Sequence, residues 1–86
     1  MPWYRLMFHA GVVQDLANAG VPMAQRLLDK TKWIASNVEN LRHEPLPDLP
    51  SLYKYAVADW RIFYAIDRTE GLVDIYAVVR GDALRR

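Results

Sequence analysis

The chain has 86 residues, a net charge of +1, 52% hydrophobic and 24% charged residues, and no cysteine. Such a length supports one domain over residues 1–86, the charge fraction excludes a disordered chain, and the missing thiols exclude disulfides and thiolate metal sites. No apolar run nears the roughly 18 residues of a membrane span and no signal-peptide core opens the chain, so a soluble cytoplasmic protein without membrane association is expected.

Residues 3–8, WYRLMF, alternate with Tyr4, Leu6 and Phe8 on one side and Trp3, Arg5 and Met7 on the other, which predicts a strand. Residues 9–19 read as a short helix with Val12, Val13 and Leu16 as its apolar stripe, ended by Gly20. Pro22 then stands where a first helical turn tolerates proline. Over residues 22–41, Met23, Leu27, Ile34, Val38 and Leu41 recur at sevens and fours and predict a second, longer helix. Trp33 falls about 120° from that stripe. It either packs under the following connector or belongs to a partner interface.

The stretch RHEPLPDLPS at 42–51 carries prolines that stop the helix and forbid another, making a stiff connector. Three strands follow, at 52–57, 60–67 and 72–80. Ala58-Asp59 and the Arg68–Gly71 stretch supply the hairpin turns. The order strand, helix, helix, strand, strand, strand predicts an α+β fold, with a helical hairpin on one face of a small antiparallel sheet.

The first hairpin turn sets the faces. Tyr53, Tyr55, Val57, Trp60, Ile62, Tyr64 and Ile66 share an uncharged face that belongs against the helices. In the last strand Val73, Ile75, Ala77 and Val79 form the uniformly apolar set and are expected to join it. The opposite, wet face then holds Lys54, Ala56, Arg61, Phe63, Ala65, Asp74, Tyr76, Val78 and Arg80, with Arg61 opposite Val78 and Phe63 opposite Tyr76. Lys54, Arg61 and Arg80 would lie together beside two exposed aromatics, an arrangement that suits a phosphate chain with bases stacked nearby. The plainer reading is that half-wet sheets carry polar residues on their outer face anyway.

His9 and His43 stand far apart with no carboxylate at ligand spacing, so no metal site is expected, nor any cofactor. His9 suits a helix start and His43 a loop. Asp67, Glu70 and Asp74 cluster around a turn, as solvated residues do. No nucleophile elbow, P-loop or dinucleotide fingerprint is present.

The opening YRLMFHAGVVQDL, the block LPDLPSLYKYAVADWRIFYAID and the closing GLVDIYAVVRGD resemble, in order, spacing and length, the RelE/ParE superfamily of bacterial toxin–antitoxin toxins. The resemblance implies the toxin of a type II pair, held inactive by a cognate antitoxin as a hetero-oligomer. RelE-like members cut mRNA in the ribosomal A site and so inhibit translation, whereas ParE-like members poison DNA gyrase. It implies a ribosome-dependent mRNA endonuclease (an mRNA interferase), with a gyrase inhibitor or a catalytically silent antitoxin binder as alternatives.

By the same resemblance Lys54, Arg61 and Arg80 match the cutters' basic catalytic positions; from the wet-face pattern Phe63 and Tyr76, and with them the cationic Arg85 near the chain's end, are expected to join them in holding RNA. Trp33 would meet the antitoxin. Ala56 stands where many members carry a second basic residue, and Arg85 stands near the position of a C-terminal Tyr.

Overall fold

The computed structural model describes residues 4–81. Its elements are β1 (Arg5–Phe8), α1 (Val12–Ala19), α2 (Val21–Ser36), β2 (Glu44–Pro45), β3 (Tyr53–Val57), β4 (Trp60–Asp67) and β5 (Leu72–Arg80). The five strands form one sheet in the order β1-β5-β4-β3-β2. The α+β class and the strand–helix–helix–strand–strand–strand frame are those expected. Among the described residues no helix is long and apolar enough to cross a membrane.

The helical hairpin covers one face of the sheet. Leu27, Ile34 and Val38 of the predicted stripe are buried, with Met23 and Leu41 packed at its ends, and Val12 joins them from α1. They meet Val57, Ile62, Tyr64, Val73, Ile75 and Val78. Each fully buried aliphatic side chain there is worth about 1.5–3 kcal/mol over leaving it exposed. Thr31, also buried, donates its hydroxyl to the Leu28 carbonyl at 2.7 Å, so no polar debt is carried into the core. Gly20 joins the helices with φ +81° and ψ 158°, a conformation open essentially to glycine alone.

Four details depart from the sequence-based expectation. The helices are shorter than expected, α1 starting at Val12 and α2 giving way to turns after Ser36. The sheet is mixed, not antiparallel: β1 runs parallel to β5, Leu6 beside Val73 and Met7 beside Asp74. The helical hairpin supplies the crossover that such a parallel pairing needs. The proline connector contributes β2, whose two residues pair with Tyr53 and Lys54 at an edge, where proline costs no ladder bond.

The fourth departure matters most for function. The β4–β5 register shifts at Phe63/Tyr64: Tyr64 pairs with Ile75, but Phe63 pairs with Ala77, leaving Tyr76 as an extra residue. One inserted residue reverses the side-chain alternation beyond it. Val78, expected on the wet face, is therefore buried under the helices opposite Ile62, while Ala77 and Val79 leave the core face.

Two long-range ties fix the layers. The Tyr4 hydroxyl donates to Glu39 at 2.7 Å, and Arg68 lies 3.4 Å from the same carboxylate. That hydrogen bond, followed by the nearby Arg68 charge, holds the Glu39 carboxyl below its usual value. Around the core rim, the buried Tyr64 hydroxyl donates to His43 Nδ1 at 2.6 Å, and His43 Nε2 donates to the Val38 carbonyl at 2.8 Å. Burial first, then the neighbouring Tyr53 and Tyr55, pushes the Tyr64 hydroxyl well above the usual phenol value.

Candidate functional site

The β3–β4 hairpin builds the wet face as expected. Its two-residue turn opposes Val57 to Trp60, Ala56 to Arg61 and Lys54 to Phe63. Ala58 takes φ +52° at the first turn position, the left-handed sense that two-residue hairpins ask for. Lys54 and Arg61 thus sit diagonally on adjacent strands of one face, a spacing of about 7–8 Å between backbones.

Both cations are held rather than left to wave. Lys54 Nζ lies 3.9 Å from Glu44 of β2, and its side chain is only 20% exposed. Arg61 Nη1 donates to the Ala58 carbonyl at 3.0 Å and to the Trp60 carbonyl at 2.9 Å. These bonds fix the plane of the guanidinium, and a planar fork of fixed orientation is the geometry that recognises phosphate oxygens.

Arg80 does not join them. The extra residue at Tyr76 sets Arg80 opposite Trp60, on the helix-side parity, where it lies 3.9 Å from Asp59 and borders a hollow with Asp15 and Asn18 of α1. The expected three-cation cluster is, among the described residues, a pair with a third cation around the end of the sheet. Phe63 is on the expected face but fully buried instead of exposed. Lys54 stands directly opposite it and Arg61 two positions along its own strand. Phe63 also faces Ala77, not Tyr76. Tyr76 is 41% exposed, as a stacking residue should be. Arg85 lies outside the described residues.

Sequence reasoning missed a second polar group on this face. His9 Nε2 lies 3.1 Å from Asp74 Oδ2, and its ring meets Tyr76 edge-on at 4.9 Å. Parallel pairing of β1 with β5 makes that contact, and no local pattern announces it. Asp15 was likewise read only as part of a helix, yet its carboxylate accepts the Val78 N–H at 3.0 Å where β1 has run out.

Trp33 packs against Tyr55 at 5.9 Å, not under the connector, and remains 39% exposed. Lys30 Nζ lies 4.4 Å above its ring centre and 5.5 Å from that of Tyr55, both within cation–π reach. This cluster borders an open groove of about 480 Å³ between α2 and the end of β3.

The family model described as the ParE toxin of the type II toxin–antitoxin system parDE matches residues 6–84. No curated protein sequence matches. Among solved structures the chain is similar to the toxin–antitoxin complex RelBE2 of Mycobacterium tuberculosis, with a TM-score of 0.82, 18% identity and 93% of each chain covered. It is similar to the isolated RelE toxin of E. coli, with a TM-score of 0.72, 19% identity, and 95% of this chain and 88% of that one covered. The archaeal RelE–RelB complex of Pyrococcus horikoshii OT3 matches with a TM-score of 0.74 and 20% identity, over 98% of this chain and 100% of that one. At these identities the likeness concerns the fold.

Proposed function

The chain belongs to the ParE toxin family of type II toxin–antitoxin systems, and on that premise we propose that it is a ribosome-dependent mRNA endonuclease neutralised by a cognate antitoxin. The observation that carries the reading is the diagonal placement of Lys54 and Arg61 on adjacent strands, on the sheet face away from the helices. Attack of a 2′-hydroxyl on the adjacent phosphate gives up the hydroxyl proton, closes a 2′,3′-cyclic phosphate and breaks the bond to the 5′-oxygen of the next nucleotide, which leaves as a hydroxyl; on the way negative charge builds on the phosphate oxygens. A held guanidinium in a partly dry site stabilises that charge, and loss of one such donor costs about 10²–10³ in rate. Arg61 takes that role. Lys54, beside it, holds the neighbouring phosphate or assists the 2′-hydroxyl. Tyr76 offers an exposed ring to a base, and Phe63 supports the two cations from below. Arg80 stands apart from the pair, at the end of the sheet beside Asp59, so Arg80→Ala should cost less than Arg61→Ala.

A ParE-type action on DNA gyrase is the second reading, favoured by the description of the matching family and by the separation of Arg80 from the cation pair. In both readings the antitoxin is the standing partner, meeting Trp33.

Induced expression with primer extension on cellular mRNA, beside an assay of gyrase-dependent DNA breaks, separates the readings. Wild type should cut translated mRNA, and Arg61→Ala and Lys54→Ala, each checked for folding, should cut it far less. Growth arrest with DNA breaks and no mRNA cuts would transfer the function to gyrase. Cuts unchanged in both variants would leave an endonuclease whose site lies elsewhere.

A further inference from the structure

On the wet face, away from Lys54 and Arg61, a second polar group gathers where β1 ends beside β5. Asp74 stands between Met7 of β1 and Ala65 of β4, neither of them charged. Its Oδ2 accepts a hydrogen bond from His9 Nε2 at 3.1 Å, and His9 is its one partner among the described residues. The Asp74 side chain is 42% exposed, and a carboxylate keeps free lone pairs after one such bond. Tyr76 is the residue left over by the β4–β5 register shift. Bulges re-aim side chains, and this one sets the Tyr76 ring edge-on to His9, centroids 4.9 Å apart and planes at 64°.

A surface ion pair of this kind adds little to stability, and the Tyr76 ring lies outside the core. Electrostatics divides the face instead. A phosphate chain is drawn to Lys54 and Arg61 and repelled by Asp74, so a bound strand can bring to Asp74 only the donor edge of a base. Asp74 lies about 12 Å from Lys54 between backbones, two strands across and two residues along. That reach suits the base of a neighbouring nucleotide when a phosphate sits on the cation pair. Guanine presents two adjacent N–H donors, at N1 and N2, which a carboxylate accepts as a pair. Cytosine and adenine present one amino group each. Uracil sets its one N–H between two carbonyls, which a carboxylate repels.

We propose that Asp74, steered by His9, reads a guanine base seated against Tyr76, on a nucleotide neighbouring the phosphate held by Lys54 and Arg61. Asp74 accepts from guanine N1–H and N2–H. Tyr76 and Met7, the large apolar side chains exposed on this face, flank the carboxylate and give the base its seat. His9 is a positioning residue: its bond to Oδ2 fixes the carboxylate, and its ring backs that of Tyr76. The inference rests on the RNA-cutting reading for its substrate and names the sequence preference of that same site.

The test titrates full-length chain, labelled with ¹⁵N and at its methionine methyl groups, with a short oligouridylate. The same strand is also used with one central guanosine, or with one central inosine, which lacks the N2 amino group. The guanosine strand should bind about ten-fold tighter than plain oligouridylate, the scale of one bidentate base contact, and should shift the Met7 methyl and the Tyr76 amide. Inosine should lose most of that gain. Asp74→Asn exchanges one acceptor for a donor and should abolish the preference; should that variant not fold, the inosine comparison on wild type decides. His9→Ala should weaken the preference and His9→Gln, whose amide can stand in for Nε2, should restore it, a rescue that a merely structural role would not show. In cells, primer extension should find guanosine at a fixed offset from the cuts, and Asp74→Asn should lose that enrichment. Equal binding of the guanosine and uridine strands, a preference untouched by Asp74→Asn, shifts confined to other surfaces, or no binding of any strand would overturn the proposal. A guanosine preference in a wild type that cuts no mRNA sinks the endonuclease and spares the subsite, whereas cuts that need Arg61 but ignore guanosine do the reverse.

Discussion

Replacing Tyr64 by phenylalanine removes one hydroxyl from the centre of the sheet and keeps the ring. That hydroxyl donates at 2.6 Å to His43 Nδ1, and the other ring nitrogen donates to the Val38 carbonyl at 2.8 Å. The two bonds require the tautomer protonated at Nε2, assigned from the network. In the variant the Nδ1 acceptor loses its donor inside a shell made by Tyr53 and residue 64. An unsatisfied buried acceptor costs about 1–3 kcal/mol. Taking about 2 kcal/mol, a domain of this size should lose roughly 8–16 °C in Tm. The urea midpoint should fall by about 1 M if the slope is near 2 kcal/mol/M. Urea unfolding followed by tryptophan fluorescence at neutral pH measures it. A cycle with His43→Leu should show coupling of about 1 kcal/mol, because each change removes the same bond. An unmoved midpoint, or strict additivity in the cycle, would refute the idea that this chain ties the end of α2 to the sheet.

Asp15→Ala should cost about 1–2 kcal/mol by stripping the Val78 N–H of its charged acceptor, and Asp15→Asn should recover part of it in thermal unfolding. Ala58→Gly relieves a φ of +52° and should raise the thermal midpoint by a gain of up to about 1 kcal/mol. Leu27→Ala, at a fully buried position, should cost about 2–5 kcal/mol in urea unfolding. Because the folded Tyr64 phenol is raised above its ordinary value of 10.0, its contribution is complete below pH 10 and is lost as pH rises beyond that. Stability should therefore fall on the alkaline side, Tyr64→Phe should flatten that fall, and tyrosinate absorbance should show one phenol resisting titration until unfolding.

Local periodicity was enough to read the helices, the three long strands and the β3–β4 hairpin. A 3.6-residue stripe and a two-residue alternation each express which side of an element is dry, and a two-residue turn permits one register. Lys54 and Arg61 on one face follow from that turn alone. Arg80 did not, because its face depends on the bulge at Tyr76, four residues earlier in its own strand. Ala77, Val78 and Val79 are all apolar, so alternation could not say which of them goes inside. Packing decided: burying Val78 opposite Ile62 under the helices required an extra residue at Tyr76. The parallel seat of β1 and the His9–Asp74 and His43–Tyr64 contacts join parts of the chain from 21 to 67 residues apart. Such contacts are chosen by the free energy of the assembled layers, in which an apolar face can be covered in more than one register until every strand competes for the same helices.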